Sequence, residues 1–142
     1  MTISVGTVSE RASLNLTVGA AGASTSVSTT FDNSYDRGSD LTTIAAGYTS
    51  FDIFGDMSSF AIDNTGAIFG NSSAGCVLNG QVTIIDAAFN AYDVTLDVAN
   101  CGGLDGMYDG LGLTQDSGAA MDNLFVFAVF TAQTTIVGEA EK

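Results

Sequence analysis

Apolar and polar residues alternate with a period of two along nearly the whole chain, and stretches with helical periodicity are almost absent. Tyr92–Val98 is the clearest case, because its even positions are apolar while Asp93, Thr95 and Asp97 lie between them. Successive side chains of a β-strand point to opposite faces, so this pattern predicts a strand with one buried and one solvated face.

Glycine-rich and Asx-rich segments separate the alternating stretches and predict turns between strands. Asp63–Gly66 is a strong hairpin signal, since Asn and Gly tolerate positive φ. Candidate strands lie at Thr2–Val8, Ser13–Val18, Ser24–Phe31, Tyr48–Phe54, Met57–Ile62, Ala67–Asn71, Cys76–Asp86, Tyr92–Val98, Gly106–Thr114, Leu124–Ala132 and Thr134–Glu139.

The pattern predicts an all-β fold of about eight to ten strands, an antiparallel meander closed into a small barrel, with a two-sheet sandwich as the alternative. Closure is favoured because an open sheet would expose long edges, and the chain has no proline to interrupt them. One short helical turn is expected near residues 40–46, over Leu41–Ala46, capped by Ser39 or Asp40. We expect residues 1–142 to form a single domain.

Composition excludes several classes of function. With no histidine and a single lysine, Lys142, the chain lacks the residues of Ser-His-Asp catalysis, His-based metal sites and a buried Schiff base. A net charge of −13 argues against nucleic-acid binding, and no run of apolar residues is long enough for a membrane-spanning segment. We therefore expect no cofactor and no catalytic residues, although an enzyme that uses carboxylates as catalytic groups stays an alternative. Arg11 and Arg37 are the only candidates for an anion clamp.

Two cysteines, Cys76 and Cys101, lie beside glycines at the edges of strand-like segments. In a small β domain this arrangement indicates a disulfide closing a loop of about 25 residues, worth roughly 3 kcal/mol. The alternative is a pair of buried free thiols, as in a cytosolic protein. The abundance of Ser, Thr, Asn and Gly favours the disulfide and an extracytoplasmic location, either periplasmic, on the cell surface or secreted.

Leu124–Ala132 is apolar at both odd and even positions. One interpretation is a central strand whose outer side is covered by a helix or loop. A second is a subunit interface of a homo-oligomer, with Phe125, Phe127 and Phe130 as candidate contact residues. A third, a transmembrane barrel, is disfavoured because Asp93, Thr95 and Asp97 interrupt any continuous apolar band.

Two further functions remain open. Nine Phe and four Tyr residues could line a lipocalin-like cavity for a small apolar ligand. A barrel enzyme could instead use interior tyrosines and a carboxylate. Tyr48, Tyr92, Tyr108 and Asp52 are the candidate residues for either function.

Acidic residues form three clusters with possible affinity for calcium, which prefers converging oxygen ligands. The alternative for each cluster is a set of solvated turn aspartates, and we expect no metal site. The clusters are Asp32/Asp36/Asp40, Asp52/Asp56 and Asp105/Asp109.

Several motifs resemble uncharacterised exported or lipoprotein-like β-rich proteins of Gram-negative bacteria, over roughly residues 12–138. These motifs are an aromatic-Asp-x-x-Tyr turn, a Leu-x-x-Ile-Ala step, a glycine-rich hairpin ending in Cys, a Tyr-Asp-Val-Thr-Leu strand and a second Cys. They correspond to Phe31–Asp36, Leu41–Tyr48, Gly66–Cys76, Tyr92–Leu96 and Cys101.

The resemblance implies an extracytoplasmic barrel-like domain with a pair of cysteines, and it implies no enzymatic activity. The chain departs from the family at Ile85–Asn90, where relatives often carry Pro or Arg. Met1–Val5 already alternates like a strand, so we expect an upstream leader region, with its lipidation cysteine, to be missing from this sequence. The expected function is association, with itself or with another surface component.

Overall fold

A computed structural model describes residues 2–9, 13–20, 23–51, 57–118 and 120–142. These residues divide into two compact units, Met1–Asn33 and Ser34–Lys142. The expectation of a single domain stays a prediction, and each unit is described by itself.

The first unit is a three-stranded antiparallel sheet with the order β1-β2-β3. Its strands are β1 (Thr2–Ser9), β2 (Ser13–Ala20) and β3 (Ala23–Thr30). The register of β1 on β2 shifts between Ser4 and Thr7, whereas β2 and β3 pair without interruption.

The second unit is a closed barrel of eight antiparallel strands, each hydrogen-bonded to its neighbour in the sequence. The barrel confirms the all-β meander and excludes the sandwich. Its elements are α1 (Leu41–Ile44), β4 (Ala46–Phe51), β5 (Met57–Ile62), β6 (Ala67–Ser72), β7 (Val77–Ile84), β8 (Tyr92–Ala99), β9 (Gly106–Gln115), β10 (Leu124–Phe130) and β11 (Thr135–Glu141). Two 3-10 turns lie at Asn33–Arg37 and Gly102–Leu104.

Local side-chain hydrogen bonds account for the turns. The Asp63 carboxylate accepts bonds from the backbone N–H groups of Thr65 at 2.7 Å and Ala67 at 3.0 Å. Gly66 completes this turn with a φ of 83°, which favours glycine. The hairpin predicted at Asp63–Gly66 is therefore present between β5 and β6.

The helical turn begins where it was predicted and ends earlier. Asp40 caps α1, since its carboxylate accepts the N–H of Thr42 at 2.6 Å. Ala45 is already extended, with a ψ of 102°, so β4 begins at Ala46 inside the predicted helical range.

Two predicted strands extend beyond the observed ones, the first of them at both ends, since β7 ends at Ile84 and not at Asp86. The strand predicted over Cys76–Asp86 is β7, which begins at Val77 because Cys76 belongs to a turn closed by the Ser72 N–H bond to its carbonyl. The strand predicted to reach Ala132 ends at Phe130, because the Thr131 hydroxyl accepts the N–H groups of Gln133 and Thr134. Residues 52–54 of the strand predicted from Tyr48 lie outside the described residues.

Alternation places the core inside the barrel. In β8 the apolar residues at even positions are buried, and Asp93 and Asp97 on the opposite face are exposed. The largest buried side chains are Tyr92, Tyr108 and Phe125. The buried side of each described barrel strand therefore contributes to one continuous apolar core.

A disulfide joins Cys76 to Cys101, as predicted, with a Cα–Cα distance of 4.7 Å and a sequence separation of 25. It links the turn before β7 to the segment after β8. The strands β7 and β8 already pair with each other. The bond therefore fixes one end of this hairpin.

Candidate functional site

The three tyrosines selected from the sequence lie on inward-facing positions of the barrel. Tyr48, Tyr92 and Tyr108 are each no more than 2% exposed. Asp52, the carboxylate grouped with them, lies outside the described residues. The predicted role of these tyrosines in ligand binding or catalysis stays a prediction.

Each of the three hydroxyls is bonded to the backbone. Tyr48 donates to the carbonyl of Ile44 at 2.8 Å, and Tyr108 donates to the carbonyl of Leu104 at 2.8 Å. The Tyr92 hydroxyl accepts the N–H of Asp40 at 3.0 Å and lies 3.3 Å from its carbonyl oxygen. The hydroxyls thus hold the segments that lead into β4 and β9.

Burial disfavours the charged form of the phenols and is the main cause that raises the pKa of both Tyr48 and Tyr92. A general base near neutral pH needs a pKa close to the working pH. A raised tyrosine pKa moves the group away from that range, so these two phenols stay neutral and serve as hydrogen-bonding groups.

Aromatic packing fills the centre of the barrel. The Phe125 ring lies 5.9 Å from that of Phe127, 6.0 Å from that of Tyr48 and 6.3 Å from that of Tyr92, measured between centroids. The interior cavity beside these rings has a volume of about 30 Å³ and an apolar lining. Sites for small molecules usually enclose roughly 300–1,000 Å³. This cavity has room for about one water molecule, which disfavours a lipocalin-like role.

One end of the barrel carries a bonded polar cluster. Arg37 forms two hydrogen bonds to the carboxylate of Asp116, at 2.5 and 2.7 Å, and a third to Asp122 at 3.4 Å. These bonds raise the pKa of Arg37 and lower that of Asp116. The guanidinium proposed as an anion clamp is therefore engaged by carboxylates, and Arg11 lies outside the described residues.

Asn90 is a buried residue at the same end of the barrel, and the sequence analysis did not identify it. Its amide donates to the carbonyls of Ser34 at 3.1 Å and Thr114 at 2.8 Å. Its oxygen accepts the N–H of Thr114 at 2.9 Å and the Thr114 hydroxyl at 3.0 Å. Asn90 thereby connects the segment before α1 to the end of β9.

Two aspartates of the acidic clusters have structural roles. The Asp40 carboxylate caps α1, and that of Asp105 accepts the backbone N–H of Cys101 at 2.5 Å. Within residues 23–51, 57–118 and 120–142, no three acidic or cysteine side chains are placed to hold a metal ion. The Asp52/Asp56 pair lies outside the described residues.

The three phenylalanines proposed as interface residues separate between the two sides of β10. Phe125 is 1% exposed and inside the core, and Phe127 packs against it. Phe130 lies on the outer side and is 56% exposed. Of the three, Phe130 is therefore the residue with surface available for a partner.

The outer side of β9, β10 and β11 carries an apolar face that includes this residue. Leu111, Ala128 and Val137 are paired across the three strands, and Leu111 and Val137 are 57% and 72% exposed. We call this surface the apolar wall, defined by Leu111, Leu113, Val126, Ala128, Phe130 and Val137.

Acidic residues border the apolar wall. Asp93 pairs with Leu111, Asp109 pairs with Phe130, and Glu139 pairs with Val126. The sequence analysis found the segment apolar on both faces but did not identify Leu111 and Val137, because the strands that pair with β10 cannot be read from the sequence.

Comparison of the chain with protein-family models, with curated proteins and with solved structures finds no match. Among the described residues, no helix has the length and apolar character needed to cross a membrane. The resemblance to exported Gram-negative proteins therefore remains an expectation from the motifs.

Proposed function

We propose that this chain is a non-catalytic extracytoplasmic β-barrel domain that acts by self-association through the apolar wall. The observation that carries the proposal is the register of Leu111, Ala128 and Val137, which gathers exposed apolar side chains from three strands on one surface. Contiguous apolar surface of this kind is typical of protein–protein contacts.

The interior of the barrel disfavours both catalysis and the binding of a ligand inside it. The hydroxyls of Tyr48, Tyr92 and Tyr108 are bonded to the backbone, and the interior cavity measures about 30 Å³. The side of the barrel that remains for function is the outer one.

The disulfide supports the location. Such bonds persist in oxidising compartments and are rare in the cytosol. The Cys76–Cys101 bond therefore favours a periplasmic, cell-surface or secreted protein, in agreement with the family that the motifs resemble.

A second copy of the chain is the partner proposed. A two-fold interface brings the same patch of both subunits together, and apolar side chains are complementary to themselves. The acidic border opposes this contact, because Asp93, Asp109 and Glu139 of each copy approach those of the other. Salt screens such repulsion and strengthens apolar burial, so association increases with ionic strength.

Sedimentation velocity over a range of protein concentrations, at low and at high sodium sulfate, tests the proposal. We expect a dimer that forms more readily at high salt. Val137→Asp, which places a charge in the centre of the apolar wall, yields a monomer under the same conditions. Thr83→Asp, which adds the same charge on the exposed outer side of β7, leaves the dimer intact. A monomeric wild-type protein at all concentrations and salt levels would overturn self-association.

A further inference from the structure

Charge is distributed unevenly around the barrel. The four strands from β4 to β7 contain no Asp, Glu, Lys or Arg. The strands β8, β9 and β11 carry Asp93, Asp97, Asp109, Glu139 and Glu141. In a chain with a net charge of −13, four consecutive uncharged strands form a distinct surface, which we call the neutral wall, defined by the outer sides of β4 to β7.

A shallow, open hollow lies on the neutral wall. Gly47, Ala61, Phe69 and Asn79 follow one another across β4, β5, β6 and β7 in the register. Gly47 leaves open space, since a Cβ added there would meet no atom within 4 Å. Small residues thus form one side of the hollow, and the half-exposed Phe69 ring stands beside them.

Polar groups around the hollow are available to a ligand. Within the part of the chain that the structure describes, the side chains of Thr49, Ser59, Asn71 and Asn79 make no hydrogen bond. Asn71 and Asn79 are both exposed, and each amide offers two donors and one acceptor oxygen. The hollow therefore combines one exposed aromatic ring with neutral donors and acceptors.

From this combination we infer that the neutral wall binds a neutral saccharide chain. The C–H face of a pyranose packs on an aromatic ring, while its hydroxyls pair with amide and hydroxyl groups. An apolar ligand would cover the amides without satisfying them, which is costly. An anionic ligand would meet a chain of net charge −13, and a cationic one would find no acidic group in the lining.

The open shape of the hollow also indicates which part of a saccharide chain binds there. It is a surface depression and not a closed pocket, so it accommodates an internal stretch of a glycan and does not capture a chain end. The neutral wall is distinct from the apolar wall, since β6 and β10 lie four strands apart in the eight-strand barrel. The inference therefore does not depend on the proposed self-association.

To test the inference, the full chain is titrated with a panel of neutral hexasaccharides, and NMR spectra of its backbone amides monitor binding. The panel contains maltohexaose, cellohexaose, laminarihexaose and chitohexaose, with hexagalacturonate as the anionic control. We expect at least one neutral hexasaccharide to shift the amides of Phe69, Asn71 and Asn79 with saturation, and hexagalacturonate to cause no shift.

Two variants test the site itself. Phe69→Ala removes the aromatic face, and Gly47→Leu fills the hollow without meeting a neighbour at its Cβ. Each is expected to weaken binding at least tenfold. Gly103→Leu is the matched control, because Gly103 also has open space around its Cβ but lies in the 3-10 turn after Cys101. Binding that survives both variants, or no saturable shift with any neutral hexasaccharide, overturns the inference.

Discussion

The hydroxyl of Tyr48 donates a 2.8 Å hydrogen bond to the carbonyl oxygen of Ile44, four residues earlier in the chain. Both residues are buried, so water has little access to this carbonyl. The same spacing recurs between Tyr108 and Leu104, where Leu104 is exposed. Removing the hydroxyl therefore leaves a buried carbonyl without a donor at Ile44, whereas the carbonyl at the exposed Leu104 stays accessible to water.

Tyr48→Phe is expected to lower the free energy of unfolding by about 1–3 kcal/mol, because it leaves the buried carbonyl of Ile44 without a donor. Tyr108→Phe is expected to cost less, since water can replace the lost hydroxyl at Leu104. Urea unfolding followed by circular dichroism measures both. Equal losses for the two variants would contradict the role assigned to burial of the acceptor.

Asn90 is expected to be among the most sensitive polar positions. Asn90→Ala leaves the backbone groups of Thr114 and the carbonyl of Ser34 without the partners that they have in the folded protein. We expect a loss of about 2–4 kcal/mol in the free energy of unfolding. Asn79→Ala is the control, because its exposed side chain makes no hydrogen bond in the described part of the chain. A loss for Asn79→Ala as large as that for Asn90→Ala would refute this assignment.

The disulfide is expected to contribute about 3 kcal/mol, the value that loop-closure entropy gives for a loop of this length. The double variant Cys76→Ala/Cys101→Ala should therefore unfold at lower urea concentration than the oxidised wild-type protein. Dithiothreitol should shift the wild-type transition toward that of the variant and leave the variant unchanged. If the reductant shifts both proteins equally, its effect does not come from this bond.

The pair formed by Arg37 and Asp116 predicts a pH dependence with a defined sign. Hydrogen bonding to Arg37 lowers the pKa of Asp116, so the pair stabilises the fold above the ordinary aspartate pKa of about 3.9. This contribution is lost as the pH falls through the lowered pKa, where the carboxylate is protonated.

Asp116→Asn should consequently be less stable than the wild type at pH 7, and the difference should shrink as the pH is lowered from 5 toward 2. Thermal unfolding of both proteins across this range measures the difference. Asp109→Asn, on the outer side of β9, serves as the control for loss of one negative charge. A difference for Asp116→Asn that is constant with pH would show that the ion pair is not its source.

Much of the fold follows from local patterns that a sequence displays directly. The alternation in Tyr92–Val98 specifies both the strand and its buried side, and β8 has that arrangement. Asp63 and Gly66 specify a turn because their preferences for side-chain capping and positive φ are local. Asp40 likewise specifies where α1 begins.

The parts that could not be predicted depend on pairing across the chain. Leu124–Phe130 is apolar at every position, so its sequence does not reveal that Phe125 faces the core and Phe130 faces outward. The bonds of the tyrosine hydroxyls were also unpredictable, because their acceptors are backbone carbonyls that every residue possesses. The hollow beside Phe69 arises from four strands whose register is a property of the closed barrel.

The neutral wall has a consequence for how the barrel is oriented near other surfaces. An approaching anionic surface repels the acidic strands β8, β9 and β11 more strongly than the uncharged strands β4 to β7. Within about a Debye length this difference favours orientations of the barrel in which β4 to β7 face the anionic surface. Which strands carry aspartate and glutamate thus decides which strands such a surface repels least.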